Sequence, residues 1–249
     1  MAFTSTHPKR HYKDVAVSAA PGGYGVTLDG RVPRSPAARP LVLPTEPLAR
    51  LIADEWAGQG ERVVFAAMPA TRLAHVALDA APTARVALAE QLADYGAHDL
   101  LCYFAEAPAA PAALVARQEA RWAPLLAWAQ DELALTFARS AGVTHVEQSP
   151  ETLDGVRRLA AAESDFSLTA LVAAAQLFGS AILALALQRG RLNGAEASEL
   201  SQLDETFQAE TWGEDAEAAE RRGTLAGEAR ALEAWFRALS SPGAAASTP

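Results

Sequence analysis

Residues 168–187 read LTALVAAAQLFGSAILALAL, twenty consecutive residues without a charge, seven of them alanine. The placement of this run decides the fold. As one helix it would be just long enough to cross about 30 Å of hydrocarbon, so a membrane span is one reading. The other is the central helix of a helical bundle, apolar all round because neighbours surround it. Thr169, Gln176, Gly179 and Ser180 interrupt the run and favour the bundle. Membrane insertion is therefore not expected, and purification without detergent would settle the matter.

Helical spacing extends the bundle reading in both directions. Candidate helices cover residues 112–133, 151–162, 167–189, 194–208 and 215–239. Alanine makes up about a quarter of the chain. It is the best helix former and loses no side-chain entropy on folding. Leu135-Thr136-Phe137 and Val143-Thr144 are short runs that fit either strand or loop.

The N-terminal third has a different period. Val15 and Val17 alternate with polar or small residues, Pro21-Gly22-Gly23 turns the chain into Tyr24–Leu28, and Asp29-Gly30 is a hairpin signal. Leu41-Val42-Leu43 follows after three prolines, and Val63-Val64-Phe65 is read as a return to the same sheet. Thr45 has the chemistry of an N-cap, with Pro47 inside the first turn. Leu48, Leu51, Ile52 and Trp56 continue at helical spacing, which assigns Trp56 to the core. Met68-Pro69 and Pro82-Thr83 open two further helices. The predicted class is α+β. A β-rich N-terminal domain with one or two helices (10–80) precedes a larger helical domain (81–240) and a disordered tail (241–249).

The chain of 249 residues is half hydrophobic and one-fifth charged, as a globular protein is. Thirty acids oppose 21 bases, a net charge of −9. That balance disfavours nucleic-acid partners, which need a basic face. The lone cysteine, Cys102, excludes an internal disulfide and a cysteine-based zinc site. The first thirteen residues lack the apolar core of a secretory signal. The expected location is the cytoplasm of a bacterium, or the mitochondrial matrix of a eukaryote.

Candidate chemistry is sparse. Gly22-Gly23-Tyr24-Gly25 lies between two strand patterns and precedes no helix, so it reads as a hairpin turn rather than a phosphate loop. His98, Asp99 and Cys102 could form a thiolate site of a small hydrolase or transferase. The competing reading is an Asp99 cap beside a buried Cys102, with the preceding helix ending at Gly96. His75 and Asp79, four residues apart, could give two metal ligands, but no third is evident, and no metal or other cofactor is expected.

The most informative stretch is residues 203–217, LDETFQAETWGEDAE. Acids recur here with no base until Arg221. Such a run is often only a solvated helix face. Here Phe207 and Trp212 are interleaved with the acids, and Gly213 breaks the helix beside the indole. Large aromatics among polar groups are the anchors of protein interfaces, and acids steer basic partners. The candidate partner-binding residues are Glu205, Phe207, Glu210, Trp212 and Glu214.

Read with earlier stretches, this segment resembles the F1-ATP synthase assembly chaperone family, found in mitochondria and α-proteobacteria, that binds the free F1 α subunit. The similar stretches are Arg10-x-Tyr12-Lys13, Leu28-Asp29-Gly30-Arg31, Leu43-Pro44, Glu55-Trp56-x-x-Gln59 and Met68-Pro69-x-Thr71. They continue with Tyr95-x-x-x-Asp99-Leu-Leu-Cys102-Tyr103, Gln118-x-x-x-Trp122-x-Pro124-Leu125 and Phe207-Gln208-x-x-x-Trp212-Gly213. Each is weak alone; together, in the family's order, they are specific. The resemblance implies a two-part fold and no catalytic activity. It implies capture of the unassembled α subunit, which is held from aggregation until the β subunit replaces it; the chain itself is expected to be a monomer. It also adds Asp204 to Glu205 as an acidic position that matters for function, and it marks Trp56, Gln59 and Trp122 as structural motif residues.

Overall fold

The computed structural model of the chain describes residues 7–142, 144–213 and 215–240. The chain divides into two compact units: residues 1–83 together with those from Ala234 onward, and residues 84–233. The tail expected at 241–249, and Val143, lie outside the described residues.

In the first unit, β1 (Val15–Ala20), β2 (Gly23–Leu28) and β3 (Val42–Leu43) form an antiparallel sheet in that order. The β1–β2 register pairs Val15 with Leu28 and Ala20 with Gly23, so Pro21-Gly22 makes the tight turn. Gly23 is required by packing: a Cβ there would sit 2.1 Å from the Leu43 carbonyl oxygen on β3. The Asp29-Gly30 turn has positive φ at both residues, and Leu28 exchanges both backbone hydrogen bonds with Arg31. The Asp29 carboxylate accepts from the Lys13 and Asp14 amides, which holds its pKa below the usual carboxylate value.

Helix α1 (Glu46–Ala57) covers the sheet, burying Leu48, Ile52 and Trp56 with Val26, Leu41 and Leu43. Thr45 caps it as expected, its hydroxyl accepting from the Leu48 amide at 3.3 Å. Glu55, near its other end, caps α2 (Pro69–Asp79). Its carboxylate accepts from the Ala70 and Thr71 amides and the Thr71 hydroxyl, each at 2.7 Å. Burial nevertheless raises the Glu55 pKa.

Val63-Val64-Phe65 does not return to the sheet. Its partner is the N-terminal segment: Arg10 N–H donates to Glu61, Val63 N–H to Pro8, and Lys9 bridges Arg62. The Gln59 side chain takes the Val64 amide at 2.8 Å, so no ladder can continue. A 3₁₀ turn at Phe65–Ala67 then leads into Pro69.

The second unit is built of short helices, and three of the expected long ones are broken. Residues 112–133 form α4 (Ala112–Arg121) and α5 (Ala123–Leu133); α3 (Ala81–Ala97) precedes them. Pro124 explains this break, since it lacks an amide and its ring crowds the preceding turn. After β4 (Tyr103–Phe104), β5 (Ser140–Ala141) and α6 (Pro150–Ala162), the apolar run itself divides. It forms α7 (Asp165–Phe178) and α8 (Ala181–Gln188). Gly179 adopts φ 64° as a left-handed C-terminal residue, and the Ser180 hydroxyl caps α8 by accepting from Leu183 at 3.0 Å. Residues Ala181 to Leu187 are all buried. Among the described residues no helix is long and apolar enough to cross a membrane. The bundle reading is therefore the correct one for the run, with two helices in place of one.

The third broken segment gives α9 (Gly194–Ser201) and α10 (Leu203–Trp212), with Gln202 between them. Helix α11 (Ala216–Ser240) follows. Gly96 does not end α3, which runs one residue further with Gly96 facing Val156 and Phe137. Leu135-Thr136-Phe137 is not a strand; Leu135 and Phe137 are core side chains on an extended segment.

Candidate partner-binding surface

The alternative reading of His98, Asp99 and Cys102 as a catalytic trio finds no such assembly. Asp99 is fully buried, and its carboxylate accepts from the Leu101 amide at 3.0 Å, the Ser180 hydroxyl at 2.7 Å and the Ile182 amide at 2.9 Å. It caps its own turn and the start of α8. Cys102 is also fully buried, and burial followed by the nearby Asp99 charge pushes its thiol pKa up, away from thiolate chemistry. His98 instead contacts the Asp94 carbonyl at 3.2 Å and stacks on His145, ring centroids 5.3 Å apart. Asp79 is engaged by the Ser35 hydroxyl and the Ala37 amide. No group of three or more metal-ligating side chains occurs among the described residues.

Of the structural motif residues, Trp56 and Trp122 are buried and Gln59 is half-buried. Trp56 is 8% exposed, its carbonyl accepts from Tyr12 Oη at 2.7 Å, and its ring meets Tyr12 and Phe65 edge-on. Gln59 Nε2 donates to the Glu55 carbonyl at 3.0 Å. Arg10 donates to the Ala57 and Gln59 carbonyls, placing a guanidinium at the C-terminus of α1. Trp122 is 1% exposed and its Nε1 donates to the Leu200 carbonyl at 3.1 Å. Most of the family-like stretches thus encode hydrogen bonds that hold each unit together.

Helix α10 is different, because its two faces separate its acids. Asp204 is half-buried and accepts from Gln118 Nε2 at 2.7 Å; burial raises its pKa. Phe207 lies under the Arg117 guanidinium, 5.1 Å from ring centre to Cζ. Arg117 also pairs with Glu210 at 2.7 Å, and that hydrogen bond lowers the Glu210 pKa. One turn further along α4, Arg121 pairs with Glu199 at 3.5 Å. These pairs line a groove of about 600 Å³ between α4 and the α9–α10 segment.

On the face away from the buried Leu203, Glu205, Gln208 and Trp212 recur at i, i+3 and i+7 and are all exposed. Trp212 is 85% exposed, and Glu205 has no ion-pair or hydrogen-bond partner among the described residues. Gly213 ends the helix at φ 91°, as its position beside the indole predicts. Glu214 lies outside the described residues. The sequence did not single out Arg117, Gln118 or Arg121 as partners of α10; only the i, i+4 spacing of Arg117 with Arg121 and of Gln118 with Trp122 hints that one face of α4 is polar and occupied.

Comparison with known proteins places this arrangement. The model of the ATP12 chaperone protein family matches residues 9–130. The crystal structure of Atp12 from Paracoccus denitrificans is 40% identical, with a TM-score of 0.85 over 92% of this chain and 97% of that one. The chain belongs to the ATP12 chaperone family. A second solved structure, the Atu1473 protein of Agrobacterium tumefaciens, is 41% identical with a TM-score of 0.87, covering 94% of this chain and 87% of that one. The mitochondrial atp12 protein of Schizosaccharomyces pombe is 25% identical over 214 residues, 82% of this chain and 74% of its own. The ATP12 family is one of chaperones, not of enzymes, so the hydrolase reading of His98, Asp99 and Cys102 is set aside. The ATP12 match ends at residue 130, well before α10.

Proposed function

We propose that this chain is an assembly chaperone of the ATP synthase F1 sector that binds the unassembled F1 α subunit as a monomer, in the bacterial cytoplasm or the mitochondrial matrix. It prevents the subunit from aggregating until the β subunit takes its place. The observation that carries this reading is the exposed Glu205–Gln208–Trp212 stripe on a chain of the ATP12 chaperone family. An isolated α subunit exposes surface made for its neighbours, and such surface aggregates. A chaperone that yields to the next subunit needs a few anchors rather than a large sealed interface. An indole with an unpaired carboxylate two turns away supplies an apolar anchor and a steering charge. The long axis of α10, rather than the Phe207 and Glu210 side, is the contact in this reading, since those two are already engaged by Arg117.

Co-expression with the F1 α subunit tests this. The wild-type chain is expected to raise the soluble α subunit and to co-purify with it; failure of both would refute the function. Glu205→Lys is expected to weaken capture about tenfold, near 1.4 kcal/mol. Trp212→Ala is expected to weaken it about thirtyfold, as a hot-spot truncation of ~2 kcal/mol does. Both residues are exposed, so melting temperatures should stay at the wild-type value. Unchanged capture in both variants would remove the site from α10.

A further inference from the structure

Two adjacent acids at the start of α10 point different ways, and a side chain on α4 holds the first of them. Gln118 is 1% exposed. Its Oε1 accepts from the Ala105 amide at 2.7 Å. An N–H can only donate, so the carboxamide has one orientation, and Nε2 is left facing Asp204 Oδ1 at 2.7 Å. Just past the end of α4, Trp122 holds the Leu200 carbonyl at the end of α9. The α9–α10 junction itself has no side-chain cap at Gln202, and of the α10 residues only Leu203 is buried.

Consecutive helical positions are about 100° apart. Holding Asp204 toward α4 therefore turns Glu205 about 100° away from it, and Trp212, eight residues on, about 80° away. We infer that Gln118 is a positioning residue for client capture: it anchors Asp204, sets the roll of α10, and so aims Glu205 and Trp212 at the client without touching the client itself. This inference rests on the capture function proposed above. It assigns Asp204 the role of hydrogen-bond acceptor, so its charge is dispensable while its acceptor oxygen is not. Arg117, over Phe207 and paired with Glu210, adds a second tie one turn further along α10.

The experiment measures capture of the F1 α subunit by four variants, with melting temperature and hydrogen exchange of the α10 amides for each. Gln118→Glu keeps the acceptor for Ala105 but sets a carboxylate against Asp204. It is expected to weaken capture about tenfold or more and to speed α10 exchange in the absence of client. The double variant Gln118→Glu with Asp204→Asn exchanges the amide and the carboxylate, and is expected to recover capture to within about threefold. Asp204→Asn alone keeps the acceptor and is expected to stay within about twofold, whereas Asp204→Leu is expected to fall about tenfold.

Wild-type capture by Gln118→Glu would overturn the inference. So would a loss in Asp204→Asn as large as in Glu205→Lys, because the Asp204 charge would then be meeting the client directly. If Gln118→Glu does not fold, the Asp204→Asn and Asp204→Leu pair decides, and equal capture by both refutes the role. If the wild-type chain captures no α subunit, the function fails while the exchange data still judge the positioning. Unaltered α10 exchange in folded Gln118→Glu would end it.

Discussion

Substituting Trp122 with alanine is expected to destabilise residues 84–233 by about 3–5 kcal/mol, the range for emptying a buried aromatic site. Trp122 sits at the break between α4 and α5, 1% exposed, with Phe104 edge-on at 5.7 Å. Alanine would remove that packing and also strand the Leu200 carbonyl, which Trp122 Nε1 now satisfies at 3.1 Å. Trp122→Phe separates the two effects. It keeps one aromatic ring, gives up the pyrrole part of the indole and loses the hydrogen bond, for about 1–2 kcal/mol. Trp56 makes the opposite comparison. Its Nε1 is buried with no hydrogen-bond partner among the described residues. Trp56→Ala should still cost about 3–5 kcal/mol, through lost contact with Tyr12 and Phe65, but Trp56→Phe should cost under about 1 kcal/mol. Urea denaturation followed by circular dichroism measures all four. Equal costs for the two phenylalanine variants would show that the Trp122–Leu200 bond contributes nothing.

The contrast bears on how the sequence is read. Helix caps were legible because they are local: Thr45 before Pro47 and Gly213 after Trp212 are each read from a few neighbours, and each stands where expected. The division of residues 168–187 was also written locally, as a left-handed glycine followed by an N-capping serine. There the unbroken apolar character masked the two-residue signal. The α9–α10 break carries no capping chemistry at Gln202 and could not have been found by inspection.

The candidate surface was legible only in outline. A run of acids interleaved with Phe207 and Trp212 marks an unusual helix, but nothing within the run separates Asp204 from Glu205. What separates them is Gln118, 86 positions away. The same holds for Glu210, which looks like an unpaired acid in sequence and is paired by Arg117, 93 positions away. Fold class follows from period and composition, whereas exposure on a given helix face follows from which distant helix covers the other one. The family-like motifs have the same origin. Glu55, Gln59, Asp99, Gln118 and Trp122 each stand in one of those stretches, and each bonds backbone groups of a distant or neighbouring segment.

Asp99→Ala is expected to cost about 3–5 kcal/mol at neutral pH, because each buried donor left without its acceptor costs about 1–3 kcal/mol. Three donors converge on this carboxylate: the Leu101 amide, the Ser180 hydroxyl and the Ile182 amide. The Leu100 amide adds a backbone tie to the Gly179 carbonyl at 3.0 Å, so the turn at residues 99–102 and the α7–α8 break form one polar node inside an apolar core. The node also has a pH signature. Burial, opposed by the hydrogen bonds from Ile182 and Ser180, raises the Asp99 pKa from 3.8 to about 6. Between those two values the folded chain holds a proton that the unfolded chain has released. The contribution of Asp99 is therefore fully present below the unfolded value and is lost as pH rises through about 6. Relative to Asp99→Asn, which cannot ionise, the wild-type chain should lose on the order of 2–3 kcal/mol between pH 4 and 7. Denaturation of both proteins across that range tests the linkage. Parallel stability profiles would mean that Asp99 releases its proton at the same pH folded and unfolded, its three donors offsetting the cost of burial.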